Sequence, residues 1–80
     1  MKTIHDARYI ELLGLLRAAR EGLDVKQADL STRLGKHAGY ISKIETAERR
    51  LDLVELVEIC KALGVPVGSV LPPRLKHALS

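Results

Sequence analysis

Residues 27–45 read QADLSTRLGKHAGYISKIE. Two short helical patterns flank the connection GKHA, which contains a glycine. Two short helices joined by so brief a turn are the layout of a helix-turn-helix. In the first pattern, Ala28, Leu30, Ser31 and Leu34 form an apolar-to-small face, and Gly35 ends it. In the second, Ile41 and Ile44 are three apart and turn inward, while Tyr40 and Lys43 share the neighbouring face. Many helical bundles contain short turns, so this stretch gains meaning from what flanks it.

Upstream, DARYIELLGLLRAARE places Tyr9, Leu12, Leu13, Leu16 and Ala19 on one helical face, with Leu23 continuing it. Asp6 suits the N-cap or first turn, and Gly22 the stop. Gly14 costs about 1 kcal/mol inside a helix relative to alanine, a cost that close approach of another helix would explain. Downstream, LDLVELVEICKALGV opens on Asp52, with Glu55 three residues on in a capping-box relation. Leu53, Leu56, Val57, Cys60 and Leu63 are its expected buried stripe, and Lys61 and Gly64 suit its C-terminus. PVGSVL is at most a short helical turn before Pro72-Pro73. No segment sustains a period-two alternation. The expected fold is all-α: one compact domain of four to five helices over residues 1–80. Its core covers about residues 6–71, followed by a basic C-terminal tail over 72–80.

A chain of 80 residues buries only roughly 60% of the surface its unfolded form exposes. With no Phe, no Trp and only Tyr9 and Tyr40, a deep aromatic ligand pocket is not expected. The single Cys60 forms no internal disulfide and, without a histidine pattern beside it, no zinc site. No metal and no cofactor are expected. No apolar run approaches the roughly 20 residues of a membrane span. Met1–His5 is followed by charged residues rather than a signal-like apolar stretch, so a cytoplasmic location is expected. Three scattered histidines, one cysteine and dispersed acids assemble no acid–base or nucleophile set, so the chain does not read as an enzyme.

The net charge is +3, and its distribution says more than its size. Cations and acids balance over residues 1–25. The middle of the chain carries Lys26, Arg33, Lys36, Lys43, Arg49 and Arg50 against Asp29, Glu45 and Glu48. Residues 51–65 are acidic on balance, and the tail adds Arg74 and Lys76. The basic excess therefore coincides with the two-helix stretch and the tail, which suits a polyanionic partner.

Taken together, Gln27, Leu30-Ser31, Leu34-Gly35, Tyr40-Ile41-Ser42-Lys43-Ile44-Glu45, Glu48-Arg49-Arg50-Leu51-Asp52 and Leu56 to Val65 resemble one family. It is the lambda-repressor-like, Xre/Cro-type helix-turn-helix domains, and the resemblance covers about residues 10–71. It implies a five-helix fold with the helix-turn-helix in helices 2 and 3, the third helix entering the major groove of double-stranded DNA. Gln27 would touch a phosphate from the start of the second helix. Lys36, His37, Ala38, Gly39, Ser42 and Lys43 would line the turn and the exposed face of the third. Lys43 is the expected base reader, since a lysine donates to guanine O6 and N7. Tyr40 would meet a phosphate or sugar edge, or else pack against the second helix. Arg49 and Arg50 would contact the backbone, with Glu48 a competing partner for one of them. Arg20 and Glu45 would form a structural ion pair.

Three positions depart from the family pattern. Ser31 stands where alanine is usual, and its hydroxyl can bond the carbonyl four residues back. Ala47 replaces a glycine in the turn after the third helix, which is strained if that turn requires a positive φ. Ala38-Gly39 occupies positions that often carry base-reading side chains, which shifts the expected readout to Lys43 and to DNA shape.

The resemblance implies a DNA-binding transcriptional regulator acting as a homodimer on a two-half-site operator, with Val65–Leu71 and the tail as the dimer surface. Leu53, Val70 and Leu71 would add to that surface. The rival from another class is a protein-interaction module or antitoxin-like partner-binding protein using the same fold. The small tip at Ala38-Gly39 favours that rival.

Overall fold

Asp6 opens the first helix. Its carboxylate accepts the Arg8 backbone N–H at 2.8 Å and is paired with the Arg8 guanidinium at 2.8 Å. The computed structural model describes residues 6–79. Its helices are α1 (Ala7–Gly22), α2 (Gln27–Arg33), α3 (Tyr40–Glu45), α4 (Leu53–Leu63) and α5 (Pro73–Leu79), with a 3-10 turn at Val67–Val70 before the last. No strand occurs among the described residues, so the fold is all-α as expected. No helix among them is long and apolar enough to cross a membrane.

α1 to α4 end in the same way. Each is followed by one residue in the left-handed region: Asp24 (φ 60°), Gly35 (φ 74°), Ala47 (φ 63°) and Gly64 (φ 75°). After α2, Lys36 N–H bonds Ser31 C=O at 3.0 Å and Gly35 N–H bonds Thr32 C=O at 2.9 Å. After α3, Glu48 N–H bonds Lys43 C=O at 2.9 Å and Ala47 N–H bonds Ile44 C=O at 3.0 Å. These are Schellman pairings, which satisfy the last carbonyls of a helix while reversing the chain. The same device follows α1, whose last residue is Gly22 and whose left-handed residue is Asp24.

The core is a single cluster of aliphatic side chains. Leu12, Leu13 and Leu16 come from α1, Leu30 from α2, and Tyr40, Ile41 and Ile44 from α3. Leu56, Ile59, Cys60 and Leu63 come from α4, and Val70 closes the cluster from the 3-10 turn. α2 packs on α3, α1 on α3 and on the 3-10 turn, and α4 on α2 and the same turn.

Three expectations are corrected. The buried stripe of α4 is Leu56, Ile59, Cys60 and Leu63; Leu53 and Val57 are exposed, at 72% and 45%. Two i, i+3, i+4 stripes run along this apolar helix, and only packing chooses between them. Leu23 is also exposed, because the chain turns away there. Gly14 has no neighbour within 4 Å of where a Cβ would sit, so no helix approaches it. Within the segment expected as a dimer surface, Val70 is fully buried, as is Pro72 after it, while Ser69 is exposed and Val65, Val67 and Leu71 are half-buried. α5 lies within the expected basic tail, with Pro73 at its first position, where a missing N–H costs nothing.

Candidate nucleic-acid interface

The turn of residues 34–39 sets α3 against α2. Gly39 precedes α3 and offers no side chain to cap it. Ser31 on α2 supplies the cap from outside. Its hydroxyl accepts the Ile41 backbone N–H at 3.1 Å and donates to Gln27 C=O at 2.8 Å. Ser31 is fully buried, so this bond stands in for water at an otherwise orphaned helix start. The back-bond to the carbonyl four residues earlier is the one its position predicts.

At the other end of α3, Glu45 gathers three elements. Arg20 Nε donates to its Oε2 at 2.7 Å, and Arg20 Nη2 to its Oε1 at 3.1 Å. Gln27 Nε2 adds a bond to Oε1 at 2.8 Å, and Arg20 Nη1 reaches Val25 C=O at 2.7 Å. Both charged side chains are buried, and the bidentate carboxylate raises the Arg20 pKa. Gln27, expected at a phosphate, thus commits one amide hydrogen to Glu45.

Tyr40 is the residue whose placement differs most from the open DNA contact considered for it. It is buried, in the core cluster, and its hydroxyl donates to Glu55 Oε2 at 3.1 Å. Burial, then the Glu55 carboxylate, push its pKa up to about 12. The physical reason is register: Tyr40, Ile41 and Ile44 fall on one side of a helix of 6 residues, and the aromatic ring joins that side. Arg49 lies over the ring, its Cζ 5.1 Å from the centroid, and Lys36 Nζ is 5.6 Å away.

Glu55 links this cluster to α4. In the capping box, its Oε1 accepts the Asp52 N–H at 3.0 Å, and Asp52 accepts the Glu55 N–H at 2.7 Å. Arg49 pairs with the same carboxylate at 2.9 Å, so Arg49 finds Glu55 rather than Glu48. The Asp52 amide, Arg49 and Tyr40 together hold Glu55 below its ordinary pKa. The capping box was readable from spacing, but nothing local connects Glu55 to Tyr40 or Arg49. Tyr9 was also unforeseen as a strut: its hydroxyl accepts the Leu51 N–H at 3.0 Å.

The outward side keeps Lys36, His37, Ala38 and Lys43 exposed, with Gly39 and Ser42 half-buried among them. His37 sets its ring edge-on to Tyr40, centroids 6.3 Å apart. Arg50 is exposed just beyond Arg49. The arrangement is a short helix presenting cations and a hydroxyl, rigidly seated on a second helix. Among the described residues, no group of three or more His, Cys, Asp and Glu is placed to hold a metal ion.

This geometry defines a helix-turn-helix protein. A helix-turn-helix family model matches residues 16–70. The XRE-family like protein from Pseudomonas syringae pv. tomato str. DC3000 has a similar structure, with TM-score 0.80, 38% identity, and 98% of this chain and 93% of that one covered. The chain belongs to the XRE family of helix-turn-helix proteins. The structure of hypothetical transcription factor NHTF from Neisseria is also similar, at 25% identity and TM-score 0.73 over 100% of this chain and 92% of that one. A further similar structure is FeII HppE, at 28% identity and TM-score 0.74, covering 84% of this chain but 35% of that protein. No curated protein sequence matches.

Proposed function

We propose that the protein is a sequence-specific DNA-binding transcriptional regulator that lays α3 in the major groove. The observation that carries this reading is the division of α3. Its inner side is committed to the core and to Glu45, while Lys43, Ser42 and the turn residues Lys36 to Gly39 remain on the outside. The names of the Pseudomonas and Neisseria structures agree with it. The Lys43 ammonium has no hydrogen-bond or ion-pair partner among the described residues, which leaves it available for a base edge. Gln27 retains one amide hydrogen for a phosphate. Arg50 and Lys36 supply further backbone contacts, and Tyr40 acts through the cations over its ring.

A single small module binds DNA weakly, so the reading includes a homodimer on half-sites about 34 Å apart. Leu53, Val54 and Val57, exposed together on α4, are the aliphatic side chains available for self-association. A cytoplasmic site of action follows from the same reading. The rival is a protein-docking module. Its support is that a similar fold accounts for only 35% of HppE, so the fold also serves within a longer chain.

Retention of the protein on random DNA fragments, repeated across salt concentrations, separates these readings. The DNA reading expects log affinity to fall with log salt at about −0.9 per phosphate neutralised. Absence of retention at low salt would sink it.

A further inference from the structure

The cations around α3 are not equally free. Lys43 and Arg50 have no side-chain partner among the described residues, and Lys36 has only the Tyr40 ring. Arg49 is restrained from several directions. Its Nη1 donates to Arg50 C=O at 2.9 Å and to Glu55 Oε1 at 3.2 Å, its Nη2 lies 2.9 Å from Glu55 Oε2, and it sits over Tyr40. Glu55 organises all of this. Its carboxylate also accepts the Asp52 N–H and the Tyr40 hydroxyl.

A guanidinium has five N–H donors. Both on Nη1 are engaged and Nη2 makes only an ion-pair contact, which leaves Nε and Nη2 as the two donor nitrogens without a hydrogen-bond acceptor. The Arg49 side chain is 42% exposed, whereas the Glu55 side chain is 14% exposed. The pair therefore presents an arginine with two open donors, in front of a carboxylate whose oxygens are covered. An unrestrained arginine must lose rotamer freedom when it binds, and one held in place has already lost it.

We propose that Glu55 is a positioning residue for nucleic-acid binding: it holds Arg49 over the Tyr40 ring so that two guanidinium donors meet a DNA backbone phosphate pre-ordered. The proposal rests on the DNA-binding reading of α3. Lys36 Nζ, beside the same ring, brings a second cation to that place.

Positioning and bulk electrostatics predict opposite signs. Removing an acid from a DNA-facing surface should tighten binding if only net charge matters. Glu55→Gln is the test, since glutamine preserves the capping-box acceptor and so spares the fold. The expected result is affinity about three- to tenfold weaker than wild type, the loss of one ordered side chain. The salt slope should become shallower by about 0.9, one phosphate fewer. In an Arg49→Ala background, Glu55→Gln should change neither. Equal or tighter binding by Glu55→Gln overturns the proposal. A second readout needs no DNA: nitrogen-15 relaxation should show the Arg49 Nε–Hε ordered in wild type and mobile in Glu55→Gln. Equal mobility in the two proteins overturns it as well. Failure of the wild type itself to bind at low salt is a different result, which removes the DNA reading and this role with it.

Discussion

Arg20 and Glu45, 25 residues apart in sequence, meet through two hydrogen bonds of 2.7 and 3.1 Å. Their side chains are 8% and 3% exposed. The pair ties the end of α1 to the end of α3, so the orientation of the outward face depends on it. A buried pair stabilises little against an apolar substitute, but removing one partner strands a charge. Arg20→Ala or Glu45→Ala should therefore cost about 3–5 kcal/mol in urea unfolding. A loss under about 1 kcal/mol would mean that water reaches the survivor.

Ser31→Ala should destabilise the protein by about 1–3 kcal/mol, although alanine is the smaller and less polar residue. The Ile41 N–H would lose its partner in a buried place. Thermal unfolding checks this. Gain of stability would show that α3 caps itself in another way.

Ala47→Gly should raise stability. Ala47 sits at φ 63°, where an L-residue with a Cβ is strained by about 1–2 kcal/mol. Glycine gives back part of that through unfolded-chain entropy, so a net gain of about 0.5–1 kcal/mol is expected. Gly14→Ala should add a similar amount, since its Cβ meets open space within a helix. A fall in melting temperature for either would contradict the assigned backbone.

Tyr40 predicts an alkaline transition. Its folded pKa is pushed from 10.0 to about 12, so between those values the folded state keeps a proton that the unfolded chain has lost. Stability from this group is complete below pH 10 and declines as pH rises toward 12. Denaturant titrations of wild type and Tyr40→Phe should diverge in slope across that window. Parallel curves would place the hydroxyl in water.

Lys43→Ala should change the ranking of bound sequences, with about 1–3 kcal/mol lost at the favoured base. Gln27→Ala should weaken all sequences alike, and it should also lower stability because Glu45 loses a donor. Selection from a random library, before and after each substitution, reads the difference. Identical sequence-blind losses would remove Lys43 from the base-reading role.

Much of this protein is legible along the chain, and the legible part is local. Helix starts and spacing depend on neighbours within one turn, so Asp6, the Asp52–Glu55 capping box and the inward Ile41 and Ile44 could be read directly. The motif from Gln27 to Glu45 specified the helix-turn-helix, and its relation to the XRE family carried the Arg20–Glu45 pairing. Ala47 could be flagged from its place after α3, but only the backbone revealed that φ is positive there. Tertiary structure alone decided which of two stripes α4 buries, because Leu53, Val54 and Val57 are as apolar as the side chains that went inside. It alone turned Tyr40 into the core and gave its hydroxyl, together with Arg49, to Glu55. Those choices depend on which helices meet, a matter of packing between residues far apart in the chain. Local pattern does not carry that information.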